Sequence, residues 1–167
     1  MSCHDASRLV IRVLIFFLIA VGRSALTYGA APEGNLSAHI DGVTVSVLVE
    51  SNKLDRCYYA QAAFVWGAEN ECPDQYIREM GITVNGRLIF VPLSVFADLA
   101  NPTKLSIRRG KVSTHFEITL QGGDAGTSYI AIISLREQAV LGRKVVSKEF
   151  PKEAYETTTY RWNRTTK

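Results

Sequence analysis

The sequence is poor in the residues from which metal and redox sites are built, and its net charge is small. Its 167 residues include three cysteines, three histidines and two methionines. Arg8, Arg12, Arg23 and Asp5 fall before residue 30, and without them 16 basic and 15 acidic residues remain. The basic excess therefore comes mainly from the first 30 residues and gives no indication of nucleic-acid binding. A zinc site is also not expected, because His39, His115 and two cysteines are the only Cys or His residues after position 30.

The sequence has no apolar run of membrane-spanning length. The longest, Val13–Val21, has nine residues and follows Arg8 and Arg12. As a helix it would rise about 14 Å, less than half of a bilayer core of about 30 Å. A basic start, a short apolar run and small residues after it are typical of a secretory signal peptide. We expect residues 1–29 to be this leader, cut after Ser24 or Gly29, and the protein to be periplasmic or secreted; an uncleaved membrane anchor is the alternative.

The cysteine count agrees with export. Cys3 lies in the leader, which leaves Cys57 and Cys72 as an even pair. In an oxidising compartment such a pair predicts a disulfide. It would close a loop of about 15 residues and contribute about 3 kcal/mol in the chain-entropy model. Two buried free thiols are the alternative.

No long amphipathic helix separates the β-rich runs, which argues against a parallel βαβ fold. The organising stretch is residues 111–147, where three runs of β-forming residues are separated by short turns. Alternating valines predict a further strand over Val43–Glu50, and Asn85-Gly86 predicts a hairpin between Ile82 and Val91. The fold predicted is an antiparallel sandwich or a small barrel or meander with one or two short helices. The domain spans 41–162, between a linker at 30–40 and a tail at 163–167.

The remaining segments give weaker predictions. Arg56–Trp66 mixes helix and strand formers and is assigned to a strand that pairs with Val43–Glu50. Pro73 at a helix start and Gly81 at a helix end predict a short helix over Pro73–Met80. A second brief helix is predicted over Val95–Ala100, and a last strand over Glu156–Trp162.

Motifs for catalysis or cofactor binding are also missing. The glycines of 122–126 precede a β-rich run rather than a helix, so they predict a hairpin turn and not a phosphate-binding loop. No Gly-x-Ser-x-Gly motif surrounds any serine. A hydrolase with a site near Asp124 and Ser128, with His115 as the base, is kept as the alternative function. No cofactor and no metal are expected.

By charge, the candidate binding residues are two groups of cations. One interpretation is a surface patch for an anionic envelope polymer, lipid headgroups or an acidic protein, formed by the residues Lys104, Arg108, Arg109, Lys111, Arg143 and Lys144. A solvated strand edge, whose cations block unwanted pairing, is the alternative. The function expected is therefore non-catalytic binding of a protein or cell-envelope component. We expect no nucleic-acid partner, and contact with a membrane only if the leader is retained.

Overall fold

Nine antiparallel strands make up the part of the chain that the computed structural model describes, residues 34–53, 65–68 and 72–162. The strands are β1 Gly34–Ile40, β2 Val43–Lys53, β3 Gln75–Val84, β4 Arg87–Ile89, β5 Pro102–Arg109, β6 His115–Gly122, β7 Tyr129–Arg136, β8 Ala139–Ser147 and β9 Ala154–Thr159. Two single turns of 3-10 helix, Leu93–Val95 and Ala125–Thr127, lie in the connections. The chain is therefore mainly β, as predicted.

The strands form two sheets that pack as a sandwich. One sheet has the order β1-β2-β3-β4 and the other the order β5-β6-β7-β8-β9, and all neighbouring strands within them are antiparallel. The sandwich has two open sides, which we call flanks. At the β1/β5 flank, Asp41 after β1 contacts Arg109 of β5. At the β4/β9 flank, Phe90 after β4 contacts Trp162, which follows β9.

Alternation of apolar and polar residues places one face of each sheet in a common core. Val45, Val47 and Val49 of β2 have no exposed surface, whereas Leu48 between them faces outward. In the other sheet, Ile118 and Ile133 are buried and directly paired across β6 and β7. One continuous cluster joins both inner faces, which is the arrangement expected of a β-sandwich. The strand period of two thus determines the core.

Tight turns join the short hairpins. Asn85 and Gly86, between β3 and β4, have φ angles of 50° and 76°. Asp41 and Gly42, between β1 and β2, have 48° and 81°. Positive φ at both positions is the requirement of a type I′ turn, whose twist matches that of the strands. The predicted Asn85-Gly86 hairpin and the predicted strand over Val43–Glu50 are confirmed, as is the meander of β6, β7 and β8.

The helix predicted over Pro73–Met80 is wrong, because residues 75–80 of this segment belong to β3. A β-bulge between Glu50 and Ser51 leaves Arg78 without an opposite residue in β2. Since the bulge adds one residue, Ile77 and Met80 both face the core although they are three positions apart. That spacing imitates the period of a helix.

The linker predicted over residues 30–40 is wrong in its described part, which is β1. β1 pairs with one edge of β2 and β3 with the other, so β2 does not form the predicted hairpin with Arg56–Trp66. The signal for β1 was present in the sequence: Leu36, Ala38 and Ile40 alternate and pack against the core, and a two-residue turn follows them.

Other predictions are tested only in part. The leader, Cys57 and most of the Arg56–Trp66 run lie outside the described residues. The helix predicted over Val95–Ala100 is replaced by the single 3-10 turn and a further turn, after which Leu99 and Ala100 form isolated β-bridges. Within the described segments, no helix has the length and apolarity needed to cross a bilayer.

Candidate functional site

The predicted basic patch is not one surface. Lys104 of β5 and Lys144 of β8 both lie on the outer face of the five-stranded sheet, but β6 and β7 run between their strands. Because neighbouring strands lie about 4.8 Å apart, β5 and β8 are separated by about 14 Å. Arg108 shares the outer face and pairs with Glu117, its direct neighbour on β6. Arg109 contacts Asp41 at 3.4 Å, with its guanidinium over the Phe116 ring. Lys111 is exposed in the next turn.

Arg143 is a correction to the prediction, because it is a core residue and not a surface cation. Only 4% of it is exposed. It sits opposite Ile133 on β7 and therefore faces the interior of the sandwich. A register shift between Ser134 and Leu135 changes the alternation at the start of β8. This irregularity is visible only when β8 is paired with β7. The sequence of β8 alone therefore does not show that Arg143 lies on the buried face.

Arg143 is held by two carboxylates from different segments. Its guanidinium donates to Asp98, with one contact at 2.8 Å, and to Glu156 of β9, with one at 3.1 Å. A further N–H points to the carbonyl oxygen of Val95 at 3.4 Å. Glu156 also accepts from the Trp66 indole at 3.3 Å and the Thr158 hydroxyl at 2.8 Å. We call Arg143, Asp98 and Glu156 the Arg143 cluster; it ties β8 and β9 to the segment that follows β4.

The pKa values of Arg143 and Glu156 are both shifted in the direction that favours their charged forms. Burial opposes the charged form of Glu156, but the hydrogen bonds from Arg143, Thr158 and Trp66 and the charge of Arg143 lower its pKa. Burial likewise opposes the charged guanidinium, yet bonds and charges of Asp98 and Glu156 raise the pKa of Arg143. A general acid at neutral pH needs a raised carboxyl pKa, which is the opposite shift.

The candidate hydrolase residues are not brought together. His115 begins β6 and pairs with Arg136, whereas Ser128 precedes Tyr129, whose partner Gly122 ends the same strand. Seven residues of strand, about 23 Å, separate the two ends. Asp124 begins the 3-10 turn, where Thr127 donates to its main-chain oxygen at 2.9 Å and its carboxylate at 3.3 Å. The predicted hairpin-turn role of this loop is confirmed.

Exposed apolar side chains gather at the β4/β9 flank. We call them the aromatic edge, and its members are Leu88, Phe90, Leu93, Tyr160 and Trp162. Leu88, Phe90 and Leu93 are each 69–71% exposed and Trp162 is 41% exposed, while Tyr160 is half-buried against the core. Exposed apolar side chains that are grouped at one place mark an interaction site more often than a scatter of single residues does.

The rings of the aromatic edge are held in defined positions. Phe90 meets Trp162 edge to face, with 5.7 Å between ring centroids. The Tyr160 and Trp162 ring centroids are 6.5 Å apart. The Tyr160 hydroxyl oxygen lies 2.9 Å from the hydroxyl oxygen of Ser94. The Trp162 indole N–H donates to the carbonyl oxygen of Val140 at 2.6 Å. Because the ring is bonded to the β8 backbone, a ligand that contacts it does not have to order it first.

Sequence reasoning missed the aromatic edge. One signal was available: Leu88 and Phe90 alternate with Ile89 and Val91, so both faces of this short strand are apolar. A strand next to a hairpin turn buries only one of them. Which face stays exposed, and that the end of β9 lies beside it, depends on the packing of the two sheets.

Metal binding receives no support from the described residues, in which no three His, Cys, Asp or Glu side chains are grouped to hold an ion. Comparison with known proteins adds no relative from which a role could be transferred. No protein-family model, no curated protein and no solved structure matches this chain.

Proposed function

We propose that this chain is an exported, non-catalytic binding module that holds a protein or a cell-envelope component at its aromatic edge. The observation that carries the proposal is the exposure of Leu88, Phe90 and Leu93 beside the fixed ring of Trp162. Aromatic residues are enriched where interfaces form and supply much of the binding free energy at such sites. The compartment is the periplasm or the exterior, as the leader of residues 1–29 predicts.

Two further observations support binding over catalysis. The carboxylates of Asp98 and Glu156 are both engaged by Arg143, and Glu156 has a lowered pKa. His115 and Ser128 lie at opposite ends of the β6–β7 pair, so the alternative site near Asp124 lacks its base. A hydrolase needs these groups within hydrogen-bond reach.

The test is capture of a partner from the envelope extract of the source cells by immobilised wild-type protein and two matched variants. Phe90→Ala removes a 70% exposed ring of the aromatic edge, whereas Phe150→Ala removes a 58% exposed phenylalanine in the β8–β9 loop. We expect the first variant to lose the captured component and the second to keep it. The proposal is overturned if both variants keep it, or if Phe150→Ala alone loses it.

A third variant in the capture experiment tests the basic residues. A double variant, Lys104→Ala with Arg108→Ala, removes two cations that share the outer face of β5. Retention by this variant is expected, because Arg108 is already paired with Glu117. Loss of the partner here, with Phe90→Ala unaffected, would move the binding surface to the outer face of the five-stranded sheet.

The cross-link belongs to the same proposal. We expect Cys57 and Cys72 to form a disulfide in the exported protein. Peptide mapping of the unreduced protein tests it, and recovery of both cysteines as alkylated thiols would contradict it.

A further inference from the structure

A cavity opens next to Trp162, where β6, β7 and β8 have their turns. It has a volume of about 470 Å³ and is lined by Thr114, Arg136, Glu137, Gln138, Ala139 and Trp162. Thr114 comes from the turn before β6, and Glu137 and Gln138 form the β7–β8 turn. The volume falls within the range of about 300–1,000 Å³ that is usual for small-molecule sites. We call it the Trp162 cavity.

One wall of the Trp162 cavity is a rigid aromatic ring. The indole N–H donates to the carbonyl oxygen of Val140, and the rings of Phe90 and Tyr160 pack against the indole. An aromatic face carries negative partial charge, which attracts weakly positive C–H groups. A pyranose ring presents several such groups on one side. The apolar wall therefore suits the carbon face of a sugar.

The rest of the lining is polar and electrically balanced. Arg136 supplies only donors, Glu137 supplies only acceptors, and Gln138 and Thr114 supply both. The charges of Arg136 and Glu137 cancel. A polyanion would gain no net attraction here, and a purely apolar ligand would leave these groups without partners. A ligand with many hydroxyl groups, each both donor and acceptor, meets both kinds of group.

From the apolar wall and the balanced polar lining together, we infer that the Trp162 cavity binds one sugar unit of a neutral carbohydrate. The inference rests on the proposed binding function and names its ligand class: a glycan, with Trp162 as the residue that the cavity shares with the aromatic edge. The sugar stacks on the indole, and its hydroxyls bond with the β7–β8 turn and Thr114.

The experiment is a titration of the ¹⁵N-labelled full chain with soluble neutral tetrasaccharides of glucose and of N-acetylglucosamine, followed through the two indole N–H signals. The sequence has two tryptophans, and the Trp66 indole bonds to Glu156 outside the cavity, so it is an internal control. We expect a tetrasaccharide to shift the Trp162 signal and leave that of Trp66 unchanged. No shift at Trp162 with either sugar overturns the inference.

Variants keep the result interpretable if Trp162→Ala perturbs folding. Gln138 lies in an exposed turn, and Gln138→Ala removes the amide NH2 donors and the carbonyl oxygen acceptor of its side chain. We expect Trp162→Ala to weaken sugar binding at least about threefold, and up to about tenfold or more. Gln138→Ala should weaken it by a few-fold. Phe150→Ala, which lies outside the cavity, should leave it unchanged. Equal affinity of Trp162→Ala, Gln138→Ala and wild type would place the sugar elsewhere and overturn the inference.

The outcomes also separate this inference from the proposed function. If Phe90→Ala loses an envelope protein and no sugar shifts Trp162, the aromatic edge binds protein and the sugar inference fails alone. If an oligogalacturonate shifts Trp162 and neither neutral tetrasaccharide does, the inference of a neutral ligand is overturned. If both assays show no effect, both proposals fail.

Discussion

The two flanks of the sandwich are closed in different ways. At the β1/β5 flank, β1 has seven residues, and Leu36, Ala38 and Ile40 reach the core while its polar residues face outward. At the β4/β9 flank, β4 has only three residues and Pro92 follows shortly after. The residues beyond Ile89 leave the sheet, so Phe90 and Leu93 are exposed. The exposed apolar side chains of this flank thus lie both within β4, at Leu88, and in the segment that follows it.

The ion pairs at the two flanks also differ in how far they are exposed to solvent. Arg109 and Asp41 meet at the surface, where the aspartate side chain is 69% exposed. Arg143 is 3% exposed by side chain and is shared by two carboxylates. Water and salt screen the first pair, so its net contribution is small. Removing the partner of a buried charge leaves that charge uncompensated, which is far more costly. The same chemistry therefore has different consequences at the two flanks.

The largest effect is expected from Arg143→Ala. It leaves Asp98 and Glu156 without their cation and should lower the free energy of unfolding by about 3–5 kcal/mol. Urea denaturation followed by circular dichroism measures this. A loss below about 1 kcal/mol, the range of exposed pairs, would remove the distinction between the flanks.

The next largest effect is the difference in stability loss between alanine variants of two adjacent residues, Ile89 and Phe90. Ile89 is buried and Phe90 is exposed, so Ile89→Ala should destabilise by about 2–5 kcal/mol. Phe90→Ala should change stability by less than about 1 kcal/mol, since it loses mainly the ring contact with Trp162. Thermal or urea unfolding of both variants checks this, and similar losses would mean that the aromatic edge is part of the core.

Acid should weaken the β4/β9 flank selectively. The lowered pKa of Glu156 means that its contribution to stability is complete above its unfolded value of about 4.5. It is lost as the pH falls through the lower folded-state pKa. The stability difference between wild type and Glu156→Gln should thus be largest near neutral pH and shrink below pH 4.5. Urea midpoints across this range provide the measurement, and a constant difference would argue against the assignment.

The smallest effect is expected at the β1/β5 flank. Asp41→Asn removes the contact with Arg109 and keeps a residue that tolerates the positive φ of the turn. The loss should be about 0–1 kcal/mol and should vanish in high salt. Comparison of unfolding in low and high salt tests this, and a salt-independent loss would assign the effect to the turn instead.

The sequence predicted individual strands and turns better than it predicted which residues form a site. The alternating valines of β2, the Asn85-Gly86 turn and the meander were readable because each depends on local spacing and turn chemistry. β3 was misread because Pro73 and Gly81 are typical of the two ends of a helix, whereas pairing with β2 makes the segment between them a strand. Arg143 was misassigned because charge predicts exposure, whereas burial depends on the carboxylates of Asp98 and Glu156. None of these partners is close to it in the sequence.

By itself, the sequence determined a β-rich chain with period-two strands and short turns, and it predicted an export leader. Only the tertiary structure decided which faces meet and which stay open. It buried Arg143 between two distant carboxylates and brought the segment after β4 beside the end of β9. The reason is that turns and alternation are set by neighbouring residues, whereas a core, an ion cluster and an exposed aromatic edge are set by contacts between residues far apart in the chain.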